Sequence, residues 1–171
     1  VFGLDVASGV VRCLVEKKMG FATRARLVPI VPAAVLFDLS VGNDSFIVPD
    51  AGSGYSACMA ADSARVAEGN VGAGTGASIG KLFDAHKAMK GGLGSTSITV
   101  RDSVTNATVT VGALVAVNAA GDIYKNGRLI AGTRTEDGKG LLDVVKHLLN
   151  PGSTGQHVSG LAEATTLACI V

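Results

Sequence analysis

The chain has 171 residues, enough for one domain with a real core and too few to argue for two. Its apolar fraction of 47% and mean hydropathy of +0.41 owe more to alanine and valine than to aromatics, which points to tightly packed layers. The formal charge of +1, with acids and bases interspersed, offers no nucleic-acid or polybasic membrane surface, and no apolar run reaches the ~20 residues that a membrane-spanning helix needs.

No secretory leader is read, and no helical span is expected because Arg12, Arg24, Arg26, Asp38 and Asp44 interrupt the early apolar runs. Cys13, Cys58 and Cys169 lie far apart in apolar surroundings and are expected to be reduced, packed thiols of a cytoplasmic protein rather than disulfides. His86, His147 and His157 share no ligand spacing with one another or with a cysteine, so no metal site is expected. The chain starts at Val1 without an initiator Met and stops inside an apolar run, so residues 1–171 are expected to be a single domain from the middle of a longer polypeptide.

Leu4, Ala7, Val11, Leu14 and Val15 recur at helical spacing, with Arg12, Glu16, Lys17 and Lys18 off that stripe and Gly20 as a stop, which predicts an amphipathic helix laid on a sheet. From Leu27 to Leu39 the chain is apolar and β-branched. Pro29 and Pro32 remove two ladder donors, so this is an edge strand or an extended, interrupted one. Asp38, Asn43 and Asp44 mark a loop. Gly52 to Gly54 lead into a second helical pattern whose small face is Tyr55, Cys58, Met59, Ala61, Ala64 and Ala67, ended by Gly69.

Residues 69–81 are dense in glycine, which lets the backbone take positive φ and lets another group approach it closely. A phosphate-binding loop needs glycine where Thr75 stands and a hydroxyl where Leu82 stands. A dinucleotide fingerprint fails too, because Ala77 and Ile79 occupy its glycine positions and no strand precedes. ATP and NAD are therefore poor ligands for this loop, and no cofactor is expected. A second cluster, Lys90 to Ser95, feeds an alternating strand over Ser97 to Arg101. Thr108 to Asn118 alternates and then turns apolar on both faces, the pattern of a central strand. The carboxamide of Asn118 at its end suits a turn or an oxyanion hole.

Asn126-Gly127 between Ile123-Tyr124 and Leu129-Ile130 is a hairpin signal, and Leu141 to Leu149 predicts a short helix ended by Asn150-Pro151-Gly152. Pro151 to Gly160 reads as a flexible polar linker. Beyond it, Thr165 and Thr166 open the run Leu167-Ala168-Cys169-Ile170-Val171, which predicts a strand buried on both faces. Threonine is common in strands because its branched chain fits the pleat. Were the peptide bond before Thr165 cut, that residue would also join a β-hydroxyl nucleophile to a free α-amine able to serve as its base.

The blocks Phe2 to Gly9, Val28 to Leu39, Val71 to Ala77, Lys90 to Ser95 and Val111 to Asn118 together closely resemble one family, in the right order over nearly the whole chain. It is the L-aminopeptidase/D-esterase family, which also holds the β-peptidyl aminopeptidases and the endo-type nylon-oligomer hydrolases. The resemblance implies an α/β (α+β layered) fold, an αββα sandwich like that of N-terminal-nucleophile hydrolases. It also implies a precursor that cuts itself to expose a Ser or Thr. On that resemblance Ala164-Thr165 is the bond cut, residues 1–164 belong to the α-fragment, residues 165–171 start the β-fragment and Thr165 is the nucleophile. Family precursors usually carry Asn or Gly where this chain has Ala164.

By the same resemblance Asn118 matches the oxyanion-hole asparagine, Lys81 matches a lysine near the nucleophile, and Phe37 stands where several members have tyrosine. Lys81 can act as a base only if burial or a neighbouring charge lowers its pKa, whereas a positioning cation needs neither. Gly72, Gly74, Thr75 and Gly76 form the loop expected to line the pocket and offer backbone N–H groups to the oxyanion. The implied activity is hydrolysis of small peptides or amino-acid amides and esters, by a homo-oligomer (tetramer or octamer), with neither nucleic acid nor membrane as partner. The alternatives are a family relative that no longer cuts itself and serves as a binding protein, and an acyltransferase of the ornithine-acetyltransferase type.

Overall fold

The computed structural model describes residues 2–42, 46–150, 152 and 164–171. They form an α+β arrangement of helices and small antiparallel sheets, divided between two compact units. The first comprises Val1–Val35 and Gly42–Arg65, the second Leu36–Val41 and Val66–Val171.

In the first unit the apolar stripe of the N-terminal segment folds as α1 (Val6–Glu16). It ends before Gly20: Met19 N–H donates to Leu14 O at 2.8 Å and Lys18 N–H to Val15 O at 3.0 Å, a Schellman closure with Lys18 itself at φ 55°. The second helix, α2, spans Ala51–Ala60. It starts earlier than its glycines imply because Asp50 and Ser53 form a capping box, Ser53 N–H donating to Asp50 Oδ1 at 2.8 Å. It also stops earlier: Ala61 is extended and the Asp62 side chain accepts from Ala64 N–H at 2.9 Å, a local bond that competes with the helix, so Ala64 and Ala67 lie outside it.

The helix α1 packs on α2 rather than on a sheet, and two glycines decide this. A Cβ on Gly9 would overlap the carbonyl of Ala51, and one on Gly54 the carbonyl of Val6, so the two backbones touch where only glycine fits. That approach brings Cys13 and Cys58 to a Cα separation of 6.3 Å, and they are joined as a disulfide. The expectation of three reduced, packed thiols is thus corrected. Cys169 alone is free, and it is exposed. The prolines act as expected on Leu27 to Leu39, where only β2 (Leu27–Val28) pairs, with β1 (Phe21–Ala22), and the remainder joins no ladder, with Leu39 in a turn.

The second unit holds β3 (Ser78–Ile79) paired with β4 (Met89–Lys90), and a three-stranded sheet of β5 (Gly92–Arg101), β6 (Thr108–Asn118) and a C-terminal strand. Between β6 and that last strand come the hairpin β7 (Ile123–Lys125) and β8 (Arg128–Ala131), helix α3 (Val144–Leu149), and then β9 (Thr165–Ile170). The hairpin turn puts Asn126 at φ 51° and Gly127 at φ 74°, both central residues left-handed as a two-residue loop requires. As its pattern predicts, β6 is central, in the order β5-β6-β9. The strand β5 takes in the glycines of its lead-in, since Gly92 already pairs with Val117.

The final strand corrects another expectation. Within residues 1–171 it is not buried on both faces: Thr165 and Leu167 are half-buried, whereas Ile170 is 69% exposed. A small core of Leu82, Ala120 and Val144, with Phe83 and Ala164 against it, sits beside the buried end of the sheet. The loop residues Asn43 and Asp44 and, apart from Gly152, the linker expected over Pro151 to Gly160 lie outside the described residues.

Candidate active site

The antiparallel pairing of β6 with β9 sets Asn118 directly opposite Thr165. Residues facing each other across such a pair project from the same side of the sheet, with Cβ atoms about 5 Å apart. Thr166 pairs with Val117 and projects from the opposite side, where it is exposed. Thr165 is half-buried on the side of Asn118, which is fully buried.

Residues 78–82 run alongside the end of β6. Gly80 N–H donates to Ala119 O at 3.2 Å and Leu82 N–H to Ala120 O at 3.0 Å. The buried Thr133 closes the other side, its hydroxyl donating to Gly80 O at 2.7 Å. Gly80 has φ +80°, and a Cβ there would meet the backbone of Gly132 and Thr133. This bend carries the Lys81 side chain to Asn118, with Nζ 2.5 Å from Oδ1. Lys81 is only 4% exposed, and a buried ammonium is tolerable only where acceptors replace its water.

Asn118 Oδ1 also accepts from Ser78 N–H at 3.0 Å and from Ser78 Oγ at 3.4 Å, and Lys81 Nζ lies 3.2 Å from Ser78 Oγ. On its other edge Asn118 Nδ2 donates to the backbone carbonyl of Phe37 at 2.9 Å. The contribution of Phe37 here is therefore its carbonyl, and the residue is 38% exposed.

The glycine loop turns through a single 3₁₀ segment, Gly72–Gly74. Two of its amides serve the turn itself, Gly74 N–H donating to Val71 O at 2.8 Å and Thr75 N–H to Gly72 O at 3.1 Å, and the Thr75 hydroxyl caps Gly72 O at 2.8 Å. Asn70 Nδ2 reaches Gly91 O at 2.7 Å, and Gly91 N–H donates to Ala77 O at 2.7 Å, tying the loop to the start of the sheet.

Asn118, Lys81, Phe37 and Thr165 are therefore brought to one end of the sheet, with Ala164 packed on the adjacent core. Ser78 belongs to the same cluster and was not among the residues singled out from sequence. The signal for it was a serine three places before a lysine, a spacing that recurs in enzymes that open amide bonds. Among the described residues no group of three His, Cys, Asp or Glu side chains could hold a metal, and no helix is long and apolar enough to cross a membrane.

With fold and site in view, residues 1–159 match the model of peptidase family S58, and the chain belongs to that family. It is 46% identical over 129 residues to an uncharacterized aminopeptidase of Mycobacterium leprae, an alignment covering 71% of this chain and 32% of the relative. Uncharacterized aminopeptidases of Mycobacterium tuberculosis and Mycobacterium bovis are 47% identical over 122 residues, 71% of this chain and 31% of theirs. The chain spans about a third of the length of these relatives.

Proposed function

We propose that this chain carries the scissile bond and part of the active site of a self-processing aminopeptidase or amidase of the L-aminopeptidase/D-esterase type. In the maturation step the Thr165 hydroxyl attacks the carbonyl of Ala164 through a five-membered ring and the peptide nitrogen leaves as the α-amine. Water then hydrolyses the ester, releasing the Ala164 carboxylate. In turnover the freed amine of Thr165 takes the proton from its own hydroxyl as that oxygen attacks the substrate carbonyl, and returns it to the departing amine. Water resolves the acyl-enzyme by the reverse sequence. Asn118 Nδ2, which already donates to Phe37 O, and backbone N–H groups of the 72–76 loop, where Gly74 and Thr75 are already engaged, stabilise the oxyanion, and Lys81 acts as a positioning cation.

The observation that carries this reading is the register that pairs Asn118 with Thr165, together with the buried Lys81 Nζ on the carboxamide oxygen. The same register separates the two candidate threonines. Thr165→Ala in the full-length protein is expected to leave one uncut, inactive chain, while Thr166→Ala, altered on the opposite face, is expected to be cut and active. Denaturing electrophoresis with an amino-acid amide assay checks this, and splitting that persists in Thr165→Ala would remove Thr165 from the role. An active protein that remains a single band would instead favour a relative that works without self-cleavage.

A further inference from the structure

The oxygen of Asn118 is the meeting point of three donors: Lys81 Nζ at 2.5 Å, Ser78 N–H at 3.0 Å and Ser78 Oγ at 3.4 Å. The backbone N–H of Ser78 can only donate and the backbone carbonyl of Phe37 can only accept, so the edge facing Ser78 and Lys81 is the carboxamide oxygen and the amide nitrogen is turned to the other edge, toward Phe37 O. Ser78 stands between the two partners. Its single hydroxyl proton goes to Asn118 Oδ1, and its lone pair accepts from Lys81 Nζ at 3.2 Å. The hydroxyl therefore couples the orientation of the ammonium to that of the carboxamide, in a cluster where Asn118 and Lys81 are both buried and rotation of either would strand polar atoms away from water.

We propose that Ser78 is a positioning residue for amide hydrolysis, acting through Asn118: with Lys81 it locks the carboxamide with its oxygen on the Ser78–Lys81 side and its Nδ2 on the opposite edge, where it donates to Phe37 O and from which it would serve the oxyanion. The proposal rests on the reading of Asn118 as an oxyanion donor. Ser78 does not touch the reacting atoms. It removes the freedom of the donor that does, and preorganisation of that donor is where the barrier is lowered. Lys81 then serves as the fixed cation of the clamp, with its Nζ turned onto Asn118 and Ser78.

The test is a double-mutant cycle in the full-length protein, read by hydrolysis of amino-acid p-nitroanilides with the fastest wild-type substrate. Ser78→Val and Ser78→Thr have nearly equal shape and differ by the hydroxyl, so a packing defect affects both and a lost hydrogen bond only the first. Ser78→Val is expected to lower kcat about tenfold with KM within about twofold, and Ser78→Thr to restore most of it. Asn118→Ala is expected to lower kcat about a hundredfold or more, and Ser78→Val to cost nothing further in that background. A Ser78→Val loss that persists undiminished in Asn118→Ala, or an equal loss in Ser78→Thr, overturns the positioning role while leaving the functional reading intact. Unchanged turnover in Asn118→Ala overturns the oxyanion assignment itself, and a wild-type protein that hydrolyses none of these amides overturns both.

Discussion

Tyr124 donates its hydroxyl to Asp143 Oδ1 at 2.9 Å, and that hydrogen bond is the main reason its phenol is pushed up to about 12. The sign follows directly. A folded phenol pKa above its ordinary value of about 10 contributes stability that is fully present below pH 10 and is lost as the pH rises toward 12. In alkaline titration, the tyrosinate absorbance lost on Tyr124→Phe is expected to fall near pH 12, and Asp143→Asn is expected to bring that transition back toward 10. A Tyr124 transition near 10 in the unmutated protein would contradict the hydrogen bond. At the same scale, Asn118 was legible as a polar residue ending an apolar strand, and Thr165 as a hydroxyl at a strand mouth. Ser78 was not singled out, because the Ser-x-x-Lys spacing was the one local signal for it and its other partner, Asn118, lies 40 residues away.

The elements were most readable where a local rule and the tertiary fold agree. Alternation fixed β6 to its residue limits, and Asn126-Gly127 forms the hairpin turn that only left-handed backbone allows. Readings failed where a local bond or a distant contact overrode the pattern. The stop assigned to Gly20 comes instead at Lys18, held left-handed by the Schellman bonds. Any Cβ is disfavoured there, so Lys18→Gly is expected to stabilise the first unit by about 1 kcal/mol, seen as a higher midpoint in urea unfolding, and a lower midpoint would contradict the assigned helix end. The cysteines were misread because composition cannot show that Gly9 and Gly54 let two helices touch. Closing a loop across 45 residues is worth about 4 kcal/mol in the chain-entropy account, so reducing Cys13–Cys58 is expected to cost roughly that. In denaturant without reductant, Cys169 should be the only one of the three to react with a thiol reagent.

For the molecule as a whole, the order of the sequence blocks over nearly the whole chain carried the family. The division into two compact units had no such signal, since each is assembled from segments that interleave in sequence around Leu36–Val41. That short insert matters: it delivers the Phe37 carbonyl to Asn118 in the second unit. The relatives are about three times as long as the aligned stretch, so activity must be measured on the complete polypeptide. The decisive measurement is N-terminal sequencing of the smaller fragment of the native, active full-length protein. A fragment beginning at Thr165 is the expected result. An active protein whose chain is continuous through Ala164-Thr165, or a fragment beginning at another residue, would contradict it.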